Sequence, residues 1–226
     1  MLISLSLDKS VSKDVAIMVD VLRASATINV ALNKFNRIIA VKDKNKAVEL
    51  AKKHNAVLAG ERDGAPIAGF DTGNSPVAIK NFSGDTLVLT TTNGTRILEG
   101  IKAKALVGSF VNAKAVALKA SEIAEDHIEV VMAGVKGKFV IEDFLGAGEI
   151  ISHLKNNENY ELDEMALAAC MASRDEKMVK KAIMNSSSAL TLKKLGFLDD
   201  IKFSIKKDIY DIIPIYEKGI IKNYTD

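Results

Sequence analysis

The chain has 226 residues, 48% hydrophobic and 27% charged, which suits a globular protein with one sizeable core. Lys and Arg total 31 against 29 Asp and Glu, a net charge of +2; with no Trp and 5% aromatics this excludes a basic, base-stacking nucleic-acid surface and gives no electrostatic reason for a membrane partner. The one cysteine, Cys170, excludes an intramolecular disulfide framework and a Cys-rich metal site, and a buried thiol is expected. The opening "MLISLSLDKS" is not expected to be a signal peptide, and no window approaches the roughly 18 apolar residues of a membrane span. A cytoplasmic protein is expected.

In chain order, "DVAIMVDVL" (residues 14–22) reads as a buried strand and "ASATINVALNKF" as a helix. "RIIAV" is a strand, "NKAVELAKKH" a helix and "AVLAG" a strand. A glycine- and proline-rich segment, "GERDGAPIAGFDTGNSP" (60–76), follows as a long irregular loop. Next come "TLVLTT" (strand), "GTRILEGIK" (helix), "ALVGSF" (strand), "AKAVALKASEIA" (helix), "HIEVVMAG" (strand) and a helix over 142–154. The strands are continuous Val/Ile/Leu runs, as expected when helices cover both faces. Repeated βα units predict an α/β fold, a three-layer α/β/α sandwich with a mostly parallel sheet. From about Leu162 the alternation gives way to two or three helices, then two late strand candidates, "IKFSI" and "IIPIY". Pro214 in the last suggests an edge strand, since proline cannot donate a ladder hydrogen bond. Without a low-complexity linker or repeat, residues 1–226 read as a single domain with a helical C-terminal section.

Polar residues gather after the strands, where the crevice of an open α/β sheet binds ligands. In "DVLRASAT", Asp20 ends an apolar strand, Arg23 suits phosphate or carboxylate, and Ser25 and Thr27 open a helix whose free N–H groups favour an anion. An N-cap with an internal Asp–Arg pair explains the same residues. "TTTNGTR" repeats the chemistry with Thr91, Thr92, Asn93, Gly94 and Arg96; Asn-Gly favours positive φ and an anion nest, against the plainer alternative of a capped turn. Two such loops point to a phosphorylated or multiply anionic small molecule. Asp20, Glu61, Asp63, Asp71, Glu142 and Asp143 supply hard oxygen ligands at the same edge, which suggests Mg²⁺. His54, His127 and His153 lack zinc-ligand spacing. The Asp-x-Asp of haloacid-dehalogenase phosphatases is missing, because Val21 and Leu22 follow Asp20.

The segments "VDVLRASATI", "GERDGAPIAGFDTGNSP", "LTTTNGTR", "GSFVNA", "GKFVIEDFLGAG" and "LKKLGFLDDIKFSI" together resemble the 2-phosphosulfolactate phosphatase (ComB) family in order and spacing. The resemblance implies Mg²⁺-dependent hydrolysis of (2R)-2-phospho-3-sulfolactate in coenzyme M biosynthesis, by an α/β enzyme that forms a homodimer. It implies functional positions at Asp20, Arg23, Ser25, Glu61, Arg62, Asp71, Asn74, Ser75, Thr91, Thr92, Asn93, Gly94, Arg96, Glu142 and Asp143. On that footing Asp20, Arg23 and Arg96 are the expected catalytic residues and Asp20, Glu61 and Asp143 the metal ligands. Ser25, Arg62, Asn74, Ser75 and Thr91 to Gly94 are expected to bind substrate. In "AGVKGKFVIED", Val135 and Lys136 stand where two arginines are expected, so anion contact there falls to Lys136 and Lys138. The "MNSSSAL" segment departs from the family pattern and residues 185–190 receive no role. Two alternatives are a phosphatase for another small 2-phospho acid and a non-catalytic binder of a phosphorylated metabolite.

Overall fold

The computed structural model describes residues 1–154 and 160–224. The elements are β1 (Leu2–Leu7), β2 (Val15–Val19), α1 (Ala24–Ala31), β3 (Phe35–Ala40), α2 (Lys44–His54), β4 (Val57–Arg62), β5 (Ala65–Pro66), β6 (Gly84–Thr90) and α3 (Gly94–Gly100). They continue with β7 (Lys104–Gly108), α4 (Ala113–Ile123), β8 (His127–Met132), α5 (Ile141–Leu154), β9 (Glu161–Leu162), α6 (Glu164–Ala172), α7 (Glu176–Met184), α8 (Ser187–Lys194), α9 (Leu198–Ser204), β10 (Pro214–Glu217) and β11 (Ile220–Asn223). The expected α/β architecture, a mostly parallel sheet flanked by helices, is what forms. β2 reads "VAIMV" and is buried at every position, as a strand covered on both faces must be.

The strand order is β5-β4-β6-β3-β11-β10-β7-β2-β8-β1-β9. β4, β6 and β3 are one parallel block, and β7, β2, β8, β1 and β9 are another. Between them the β10–β11 hairpin makes three successive antiparallel pairings, so the two blocks run in opposite senses. They share a core all the same. Met18 of β2, Val107 of β7, Ile38 of β3 and Leu89 of β6 lie in one apolar cluster with Ile28 of α1 and Leu98 of α3. Helix α1 touches both β3 and β7, and α3 touches β2. A second cluster packs Ile17, Val130 and Ile3 against α4, α5 and α6, and a smaller one packs α2 on Val88 of β6. The loops therefore meet because the blocks share this core, rather than by lining up along one parallel edge.

Three expectations are corrected and one strand is added. Pro214 is not on an edge strand: β10 lies inside the sheet, but Pro214 is its first residue and the β7 ladder begins at Ile215, so no central donor is lost. "IKFSI" is not a strand, because residues 201–204 belong to α9, where Ile201 and Phe203 are buried. The segment 60–76 is less irregular than its composition suggests. β4 runs on through Glu61 and Arg62 and turns at Asp63–Gly64 into β5, and Thr72 bridges to Ala59. Both turn residues have positive φ, as the Asp-Gly pair of a two-residue hairpin requires. Finally, β1, a strand unremarked in the sequence, pairs with β8.

Helix α5 approaches α6 so closely that a Cβ on Gly148 would stand 2.2 Å from the Ala169 carbonyl oxygen. Gly148→Ala is expected to cost about 1–3 kcal/mol, lowering Tm by roughly 2–10 °C in thermal denaturation. An unchanged Tm contradicts this packing.

Candidate active site

A cavity of about 420 Å³ is lined by Asp20, Leu22 and Arg23 after β2, Glu61, Asp63 and Gly64 at the β4–β5 turn, and Asn74. Thr92 and Asn93 after β6, Val135 and Lys136 after β8, and Ser187, Ser188, Thr191 and Leu192 of α8 complete it. Both parallel blocks and the helical C-terminal section thus supply walls.

Four carboxylates are buried here: Asp20, Glu61, Glu142 and Asp143. Glu61 bridges two loops, accepting from the Gly64 N–H at 2.7 Å and the Thr92 N–H at 2.7 Å. Asp143 latches two others, accepting from Val21 N–H at 2.8 Å and Gly134 N–H at 2.9 Å. Asp20 accepts from Ala24 N–H at 3.2 Å. Burial, reinforced by the charges of Glu61 and Glu142, raises the Asp20 carboxyl to about 7 against the N–H groups of Ala24 and Gly94. Burial, with Asp20 and Glu142 adding to it, also raises Asp143 well above the usual range. Glu142 Oε2 has no hydrogen-bond partner among the described residues.

The nearby cations are engaged elsewhere. Arg23 is buried, with Nη1 2.6 Å from Asp200 Oδ2, Nη2 donating to the Gly64 carbonyl at 2.6 Å, and its guanidinium over the Phe197 ring. Arg96 is not in the cavity wall; it pairs with Asp8. Arg62 also lies outside the lining, donating to the carbonyls of Glu61 and Lys42 and to Thr90 Oγ1. Lys136 lines the cavity and pairs with Asp63 at 2.8 Å, which lowers the Asp63 carboxyl.

Other expected residues separate into wall and support. Asn74, Thr92 and Asn93 line the cavity, and Asn74 Oδ1 and Thr92 Oγ1 are buried without partners among the described residues. Ser25 accepts from the Asp20 N–H, Thr91 accepts from Thr95 N–H, Ser75 donates to Asp200 at 2.6 Å, and Asp71 accepts from Leu58 N–H. These shape the loops without lining the cavity. Asn93 does not form the expected positive-φ nest: its φ is −113° and Gly94 begins α3. Gly94 matters for space instead, since a Cβ there would stand 3.1 Å from Asp20 Oδ2 and 3.0 Å from Ala24 Cβ. Two contributors were missed. Asp200 on α9 joins Arg23 to Ser75, and Ser187, Ser188 and Thr191 of α8 line the wall. The hydroxyl run in "MNSSSAL" was the available signal for the second.

A model of the 2-phosphosulpholactate phosphatase family matches residues 2–219. The chain is 48% identical to a 2-phosphosulfolactate phosphatase of Methanothermobacter thermautotrophicus, over 98% of this chain and 95% of that protein. It is 40% identical to the 2-phosphosulfolactate phosphatase of Methanocaldococcus jannaschii (91% and 90% covered) and 39% to a probable one from Thermotoga maritima (91% and 90%). The chain belongs to this family. It is thereby placed among the phosphoric monoester hydrolases, and all four buried carboxylates, Asp20, Glu61, Glu142 and Asp143, fall within the matched residues.

The donor set fits a hard divalent cation: clustered oxygen ligands, one orphaned buried carboxylate oxygen, and neighbouring arginines already paired. The sole triad of ligand atoms within 4.8 Å among the described residues lies elsewhere, at Glu149, His153 and Asp208. Without a divalent cation, Asp20 binds its proton more tightly folded than unfolded, because its carboxyl rises from 3.8 to about 7. Its contribution to stability is full below about pH 4 and lost as pH rises through about 7. Thermal melts in EDTA are expected to show Tm falling from pH 5 to 8, with Asp20→Asn flattening the fall. A slope untouched by that substitution contradicts the assignment.

Proposed function

We propose that this chain is a Mg²⁺-dependent phosphatase that hydrolyses (2R)-2-phospho-3-sulfolactate to (2R)-3-sulfolactate and phosphate, in the cytoplasm, as a step of coenzyme M biosynthesis. The observation that carries this reading is that Asp20, Glu61, Asn74, Thr92 and Asn93, from three of the segments that resemble the family, line one cavity. Asp20 and Glu61 would hold Mg²⁺, with Glu142 and Asp143 behind them. Bound there, the ion would neutralise charge on the phosphoryl group and orient the ester for in-line displacement.

The chain's own groups do the rest. Thr92, whose hydroxyl is unpartnered among the described residues, and Asn74 both line the cavity, where the hydroxyl and the Asn74 Nδ2 would donate to the ligand. Two N–H donors of Arg23 are spent on Asp200 and Gly64, which fixes the guanidinium in the wall, and its remaining donors suit an anion. Ser187, Ser188 and Lys136 add donors for the carboxylate and sulfonate. Arg96 would act on substrate only by exchanging Asp8 for it, and Arg62 braces the β4 end. Asp20 is the candidate nucleophile if a phosphoenzyme forms. A homodimer is part of the same proposal, checked by a solution mass near twice 24.4 kDa.

Phosphate release from phosphosulfolactate and phospholactate, with and without EDTA, tests the proposal. Release from phosphosulfolactate that EDTA abolishes and Mg²⁺ restores is expected, and Glu61→Gln should lower kcat/KM on the order of 10²-fold or more. Preference for phospholactate would assign a different 2-phospho acid. No release from either would leave a binding protein.

A further inference from the structure

The geometry points to a second metal site, made by Glu149 and His153 of α5 with Asp208, suited to Zn²⁺ or a similar transition ion. None of these residues lines the cavity, and the inference is independent of the phosphatase reading.

Glu149 and His153 are four residues apart on one helix, so they share a face. His153 Nε2 lies 3.4 Å from Asp208 Oδ2 and 3.8 Å from Glu149 Oε1, and the three ligand atoms fall within 4.8 Å of one another. Ligands held tetrahedrally at about 2.0–2.1 Å stand about 3.3 Å apart, so the three need close only slightly around an ion. They are too far apart for an imidazolium bonded directly to either carboxylate, where about 2.7–2.9 Å is usual. His153 Nε2 is shut off from solvent and makes no hydrogen bond among the described residues.

Each carboxylate has one oxygen tied to the protein and one turned to the imidazole. Glu149 Oε2 is 2.9 Å from Lys207 Nζ, which also pairs with Glu176 at 3.1 Å. Asp208 Oδ1 accepts the Lys114 N–H at 2.7 Å, and the Asp208 N–H donates to the Phe110 carbonyl at 2.9 Å. Such outer contacts orient metal ligands. Lys207 offsets one of the three carboxylate charges of Glu149, Asp208 and Glu176, and a divalent ion balances the other two. An imidazole ligand favours Zn²⁺, Co²⁺ or Ni²⁺ over Mg²⁺, so the site does not compete for the cavity's cation. The ion would clip α5, which carries Glu142 and Asp143 in its first turn, to the segment between α9 and β10.

The test uses the full chain, stripped with EDTA and then saturated with Mg²⁺. Calorimetric titration with Zn²⁺ should show one further site per chain, and Co²⁺ in its place should give tetrahedral visible absorption. His153→Gln and Asp208→Asn should each weaken Zn²⁺ binding at least tenfold while keeping the parent's circular dichroism and phosphatase activity; Glu61→Gln should leave Zn²⁺ binding unchanged. At 100 times its Kd, Zn²⁺ should raise Tm by roughly 5–10 °C, a shift both ligand variants lose. No Zn²⁺ bound over saturating Mg²⁺, or equal affinity in His153→Gln and Asp208→Asn, overturns the proposal. So does loss of Zn²⁺ binding in Glu61→Gln.

Discussion

Asp20, Glu61, Glu142 and Asp143 are buried together beneath loops from both halves of the sheet, and this concentration of negative charge is the constraint around which the molecule is arranged. Carboxylates so close cannot all ionise in a desolvated site without a cation or a proton. Glu129, equally buried, shows the contrasting solution: Ser10 Oγ and the N–H groups of Val11 and Ser12 all donate to one of its oxygens. Glu142 Oε2 has no comparable partner among the described residues, and Arg23 and Arg96 are paired with Asp200 and Asp8. The members of the cluster must therefore keep protons, as the raised Asp20 and Asp143 carboxyls do, or take up a cation.

The architecture follows from that need. Glu61 ties the β4–β5 turn to the loop after β6, and Asp143 ties the loop after β2 to the loop after β8. These carboxylates are at once the source of electrostatic cost and the hydrogen-bonding hubs of the loops. The C-terminal hairpin completes the frame by joining the two parallel blocks, and α9 returns to the site through Asp200. Removing the charge of Asp200 would leave Arg23 buried without its partner, which is why α9 belongs to the site although it lines none of it.

Much of this was legible in the residues. Runs such as "VAIMV" declared buried strands because helices cover both faces, and Asp20, Glu61 and Thr92 stood out as polar residues where apolar strands end. What escaped depends on long-range partners. "IKFSI" has a strand's composition, but Ile201 and Phe203 are buried from a helix, and the choice is made by what they pack against. Pro214 pointed to an edge because the ladder's starting residue is invisible in sequence. The partners of the arginines were invisible for a similar reason: a guanidinium after a strand suits phosphate, and here Arg96 meets Asp8 and Arg62 meets backbone carbonyls. His153 showed no ligand spacing among histidines, since its neighbours are carboxylates and one arrives from after α9.

The most direct test of the central claim is calorimetric titration of Mg²⁺ into the metal-free protein near pH 7, in buffers of different ionisation enthalpy. If the buried carboxylates receive the cation, binding should release protons, because Asp20 must give up the proton that burial lets it keep, and Asp20→Asn should shrink that release. Mg²⁺ binding with no proton release, or of undiminished strength in Asp20→Asn and Glu61→Gln, would contradict the account.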